Sequence, residues 1–208
     1  MANPDNPFGF KAIKHKLGVG LNASLSSYSV LATYGTALFI GDPVIRVAGG
    51  SNAAAVTAGI VRHPIASLPE IERAAGTDGT YVTGIIAGFE PDPDALGLRQ
   101  HRLASTARVV HVIDDPFVVY KIQDDGAAAL GATAVGLNAL FILTTAGNAV
   151  TGISGAELDS NATAPSADAS NPLRIVAKYE DGINVVGANC IWEVMLNQHT
   201  EIPNVLGI

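Results

Sequence analysis

The stretch "HVIDDPFVVYKIQDDG" (residues 111–126) sets two aspartate pairs ten positions apart around a run of β-branched and aromatic residues. Asp114, Asp115, Asp124 and Asp125 are either an acid/base or metal constellation or the two ends of one strand. A strand rises about 3.3 Å per residue, so ten positions separate the pairs by roughly 30 Å. Carboxylates that share a proton or a metal lie within about 4 Å of one another. Asp-Asp-Pro and Asp-Asp-Gly are turn sequences: proline presets φ, glycine accepts positive φ, and aspartate bonds its own downstream backbone. Between them Val118, Tyr120 and Ile122 share one face, and Val119, Lys121 and Gln123 the other, which is the alternation of a strand. The aspartates are punctuation.

Working outward, similar short runs rich in Val, Ile, Tyr and Phe recur along the chain. They are "YSVLAT" (28–33), "ALFI" (37–40), "VIRVA" (44–48), "TYVTGIIAGFE" (80–90), "ARVVHVI" (107–113), "LRIVAKY" (173–179) and "CIWEVML" (190–196). Such residues fit a pleated, half-buried surface. Helical signals are few. "LPEIERAAG" (68–76) reads as a two-turn helix ended by Gly76, and "DDGAAALGATA" (124–134) as another turn or two with Asp124 or Asp125 as N-cap. The expected fold is mainly β, a barrel or sandwich of short antiparallel strands with small helical turns and extended terminal arms. Residues 1–27 read as an N-terminal arm with a possible first strand, 28–199 as a single β-rich domain, and 200–208 as a C-terminal tail. Long loops are expected at 48–79, 91–105 and 159–172, the last low in complexity and solvated.

Composition narrows the function classes. Of 208 residues only 15% are charged, against about 25% in ordinary soluble proteins. The mean hydropathy is +0.31. So few charges imply that part of the surface is buried against other chains. Twelve Lys plus Arg against nineteen Asp plus Glu give a net charge of −7, which opposes the counterion release behind nucleic-acid binding. Cys190 is the single cysteine, so neither an intrachain disulfide nor a cysteine zinc cluster is available, and its apolar setting marks a buried thiol. The opening "MANPDNPFGF" lacks the basic start and apolar stretch of a signal peptide. The uncharged run 126–156 is long enough to span a bilayer, but it is alanine-rich and lacks basic and aromatic flanks, so no membrane is expected.

Motifs that suggest chemistry have plainer readings. "GVGLNA" (18–23) has the letters of a dinucleotide fingerprint without the strand and helix that must flank it. "EPDPDALG" (90–97) alternates acids like a calcium loop but lacks its glycine and closing glutamate. His15, His63, His101, His111 and His199 show no metal-ligand spacing. "GISGAE" (152–157) resembles a nucleophile elbow only superficially. Catalytic, metal-binding and cofactor-binding residues are therefore assigned to none. Pro7, Phe8, Gly9 and Phe10 are different, because aromatics on a Pro/Asn-rich arm have little local core to join. They are the candidate partner-binding residues, docking into a groove on the same subunit or a neighbouring one.

The blocks "MANPDNPFGF" (1–10), "YGTALFIGDPV" (34–44), "VIDDPFVVYKIQDDG" (112–126), "NPLRI" (171–175) and "WEVMLNQH" (192–199) resemble small structural proteins encoded beside the major capsid gene of tailed bacteriophages. Those proteins decorate or cement the head. The resemblance implies a β-rich, trimeric protein made in the bacterial cytoplasm and bound outside the shell to the major capsid protein. It implies no active-site residues, no cofactor and no direct nucleic-acid partner. Two alternatives carry different tests: a tail-tube or other virion component, and a β-barrel hydrolase, which requires histidine and acidic side chains to converge in one pocket.

Overall fold

The computed structural model describes residues 2–21, 24–50, 68–91, 97, 99–161 and 164–202. Its strands are β1 (Lys11–His15), β2 (Leu25–Val30), β3 (Pro43–Gly50), β4 (Pro69–Arg73), β5 (Gly84–Phe89), β6 (Arg108–Ile113), β7 (Val118–Gln123), β8 (Asn138–Ala139), β9 (Phe141–Ile142), β10 (Glu157–Leu158), β11 (Leu173–Lys178) and β12 (Ile191–Leu196). Every β-branched run identified in the sequence supplies a strand or, for 37–40, isolated bridges at Leu38 and Ile40. The protein is mainly β.

Five strands close into a barrel in the order β2-β4-β3-β5-β6. All its ladders are antiparallel except the β2–β4 contact, a parallel pairing of Ser29 with Glu70 that completes the ring. A second, five-stranded antiparallel sheet runs β1-β7-β12-β11-β8, and β9 pairs with β10 in a two-stranded ladder. Alternation along the strands sorts side chains between two cores. Tyr28, Val30, Val44, Ile71, Ile86, Val110 and Val112 fill the barrel. Their neighbours Ile85 and Ile113 point outward and join Val118, Tyr120, Ile122, Ile175, Trp192 and Val194 between barrel and sheet. The face read for β7 from sequence is this one.

Segment 68–76 corrects the helix expectation. Only Ile71 of β4 is buried, flanked by Glu70 and Glu72, and the strand is hydrogen-bonded between β3 and β2. A two-turn helix is marginal alone, whereas this segment as a strand closes the barrel, so tertiary pairing overrides local propensity. Gly76 is not a left-handed cap; a Cβ there would collide with the Phe141 carbonyl. Residues 124–134 likewise form no α-helix. Asp124 and Asp125 accept from the N–H groups of Gly126 and Ala127 as turn residues, and the only helical turn there is the 3-10 turn Ala132–Ala134. The uncharged run 126–156 breaks into that turn, β8, β9 and bends, and no helix among the described residues is long and apolar enough to cross a membrane.

The expected loops are shorter or more fastened than the sequence suggests. Within 48–79 lie the end of β3 and all of β4, while residues 51–67, including His63, are outside the described residues. Within 91–105, Arg102 is fully buried and bridged to Leu38, while 92–96 and 98 are outside the described residues. In 159–172, Ser166 pairs with Asn138, and the Asn197 and Gln198 side chains both donate to the Ala169 carbonyl.

Candidate functional site

The N-terminal arm is the first candidate, and it lies on its own subunit. Asn3 exchanges hydrogen bonds with Val185. The Gln123 side chain donates to the Pro4 carbonyl at 2.8 Å and accepts from the Asn6 N–H at 2.9 Å. Phe10 is 4% exposed and meets Tyr120 and Phe141 edge-on, with centroids 6.2 and 5.8 Å apart. Gly9 has φ +68°, and a Cβ there would stand 2.6 Å from the Ser154 Cβ, so only glycine threads this passage. Of the two seats expected for this arm, a groove on the same subunit or on a neighbouring one, Gly9 and Phe10 occupy the first, in the chain's own core. Pro7 and Phe8 stay half-buried, with Phe8 beside the Lys121 ammonium, 5.8 Å from its ring centroid.

The four aspartates take separate tasks. Asp114 accepts from the Tyr28 hydroxyl at 2.9 Å. Asp115 caps the turn at the Phe117 N–H and faces His15 at 3.1 Å. Asp124 accepts from the Trp192 indole N–H at 2.9 Å inside the core, and Asp125 from the Ser160 hydroxyl. Burial raises the Asp124 carboxyl above its ordinary range despite those donors. The pairs are two strand ends that also anchor the core.

Histidine and serine motifs are also dispersed. His111 lies between Glu90 at 2.7 Å and the Ser27 hydroxyl at 3.3 Å, the arrangement nearest to a hydrolytic relay. Ser27 and His111 are directly opposed in the β2–β6 ladder, where such a pair is a sheet contact, and neither lines the groove described below. Ser154 donates to the buried Asp42 at 2.5 Å and fastens the 154 turn to Gly41–Asp42. His101 stacks on Phe39 at 4.8 Å. Burial pushes the Cys190 thiol up to about 11, the direction of an inert sulfur. No group of three or more His, Cys, Asp or Glu among the described residues is arranged to hold a metal. Gly18–Leu21 of "GVGLNA" follow β1 in a bend, with Gly18 at φ +74°; Asn22 and Ala23 lie outside the described residues, as does most of "EPDPDALG".

A surface that sequence reading missed lies at one end of the second sheet. An apolar groove of about 500 Å³ is lined by Leu17, Phe117, Val135, Val176, Met195 and Ile202 among others. Lys16 and Arg174 stand in its wall, and no carboxylate does so among the described residues. Leu17 is 65% exposed beside it. At the far end of the same sheet, Ile183, Val185 and Val186 project from the β11–β12 connection. Comparison with protein-family models, with curated proteins and with solved structures found no match.

Proposed function

We propose that this chain is a non-enzymatic structural protein of a virion, seated on the outside of a tailed-bacteriophage capsid. There it self-associates, as a trimer in the arrangement the resemblance implies, and binds the major capsid protein, cementing or decorating the shell. The observation that carries the reading is the exposure of large apolar side chains on a low-charge β scaffold. Val150 is 93% and Ile183 80% exposed, and the apolar groove opens beside Leu17. Apolar surface of this kind marks sites of protein contact. The sequence blocks shared with head-decorating proteins support the same reading, and a net charge of −7 keeps an exterior protein from competing for packaged DNA.

The sheet edges agree with assembly through side chains. β1, the outer strand, carries Lys11 and Lys14, is followed by Lys16, and is interrupted by a register shift, devices that discourage edge-to-edge pairing. β8 at the other edge is two residues long and also bridged by Ser166. The test is sedimentation of purified protein with heads that lack it. Saturable co-sedimentation that protects heads from heat or chelator disruption is expected, and a chain that never binds heads overturns the proposal.

A further inference from the structure

We propose that copies of this chain join head to tail, the apolar tip of the β11–β12 hairpin in one copy entering the apolar groove at the root of that hairpin in the next. This rests on the reading above that copies associate, and it names the surfaces that meet.

The tip is a preformed knob. Asp181 accepts from the N–H groups of Ile183 and Asn184, and the Asn184 side chain donates to the carbonyls of Tyr179 and Ile191 while accepting from the Ile191 N–H. Asn3 braces it from the N-terminal arm through Val185 and Ala188. With these hydrogen bonds made internally, Ile183, Val185 and Val186 are left pointing outward. A turn whose polar groups are engaged while its apolar side chains face outward is built for contact, and its rigidity lowers the entropic cost of docking.

The groove complements the knob in shape and sign. It is concave and mostly apolar, and its charged lining residues are the cations Lys16 and Arg174, the latter also donating to Asn138. The exposed charged groups of the knob are the carboxylates of Glu180 and Asp181, because Lys178, 2.9 Å from Glu180, has a side chain only 22% exposed, and Lys121, whose charge also acts on Asp181, is half-buried. A second copy therefore offers an apolar plug with an acidic shoulder to an apolar hole with a basic rim. Knob and groove sit at opposite ends of one hairpin, because Arg174 and Met195 are paired at its root while 183–186 form its tip. A copy cannot fill its own groove with its own tip. Two different patches meeting make a heterologous contact, which propagates into a closed ring or an open filament.

The experiment uses the purified chain and two variants at exposed positions, Ile183→Asp on the knob and Val135→Asp in the groove. Each is expected to melt as the wild type does. Size-exclusion chromatography with light scattering, over a range of concentrations, is expected to show the wild type associating and each variant at least tenfold weaker. Mixing the two variants then distinguishes the geometry. Ile183→Asp keeps a good groove and Val135→Asp a good knob, so the mixture forms capped one-to-one dimers and nothing larger. Variants that associate as the wild type does overturn the pairing while leaving self-association standing. A wild type that stays monomeric at every concentration overturns both the pairing and the self-association on which it rests, whereas head binding is judged by its own assay.

Discussion

Replacing Phe10 by alanine measures where the N-terminal arm belongs. The ring is buried in the core shared by barrel and sheet, edge-on to Tyr120 and Phe141. Truncating a buried phenylalanine costs about 3–5 kcal/mol, including the cavity left behind. Of that, each edge-to-face ring contact accounts for about 0.5–1.5 kcal/mol. In a chain of this size each kcal/mol lowers the melting temperature by about 2–4 °C, so F10A is expected to melt roughly 6–20 °C below the wild type. The assay is thermal and urea unfolding followed by the fluorescence of Trp192, the single tryptophan, which lies in the same core. It is run at two protein concentrations well apart. An arm seated in its own subunit predicts the same loss at both. A loss below about 1 kcal/mol, or one that grows on dilution, refutes the intramolecular seat. F8A is the control, since Phe8 is half-buried and its Lys121 contact is worth only about 0.5–1 kcal/mol.

Three further outcomes are expected. Arg102 is fully buried and its guanidinium donates to the carbonyls of Leu31, Tyr34, Thr36 and Thr106. R102M takes the guanidinium donor from all four carbonyls, but Leu31 and Tyr34 keep the N–H groups of Tyr34 and Ser105, so the cost of about 1–3 kcal/mol each falls on Thr36 and Thr106 where they stay dry. Urea titration will place it well below R102K, and equal midpoints would contradict the clamp. D124A orphans the Trp192 indole N–H and is expected to cost about 1–3 kcal/mol with a shift in tryptophan emission, while D124N, which keeps an acceptor, costs less. Burial lowers the pKa values of His101 and His199, so on acidification the unfolded chain takes their protons first. Stability then falls as pH drops below about 6.5, by at most about 1.4 kcal/mol per pH unit for each histidine. The buried carboxyls of Asp42, Asp124 and Glu157, with raised pKa values, act in the opposite sense at lower pH, because the folded form protonates first. H199Q should flatten the limb below about pH 6.5, and an unchanged slope would show that His199 does not carry it.

What was legible in the sequence were features whose signal is local. The strand at 118–123 announced itself through period-two alternation, and its ends through Asp-Pro and Asp-Gly turn chemistry, because both depend on residues within a few positions of one another. Segment 68–76 misled because "PEIER" satisfies a helix about as well as a strand. Its decision is made by β2 and β3, and the Ser29–Glu70 bridge that closes the barrel spans some forty positions. The seat of the arm was left open between the same and a neighbouring subunit for a similar reason: Tyr120 and Phe141, which hold Phe10, lie more than a hundred residues away. The groove had no local signature at all, since its walls come from residues near 16, 117, 135, 175, 195 and 202. The knob did carry one. "EDGINVVG" (180–187) is a turn signal followed at once by bulky apolar residues, and a turn that places them outward is the exception to the usual polar loop.

The proposed place of this β-barrel chain is the exterior of a phage head. Cryo-microscopy of heads assembled with and without it tests that most directly. The account predicts extra density on the outer face of the shell, repeated with its symmetry, into which the barrel and its adjoining sheet fit. Identical shells with and without the protein, or density confined to the tail, would contradict it.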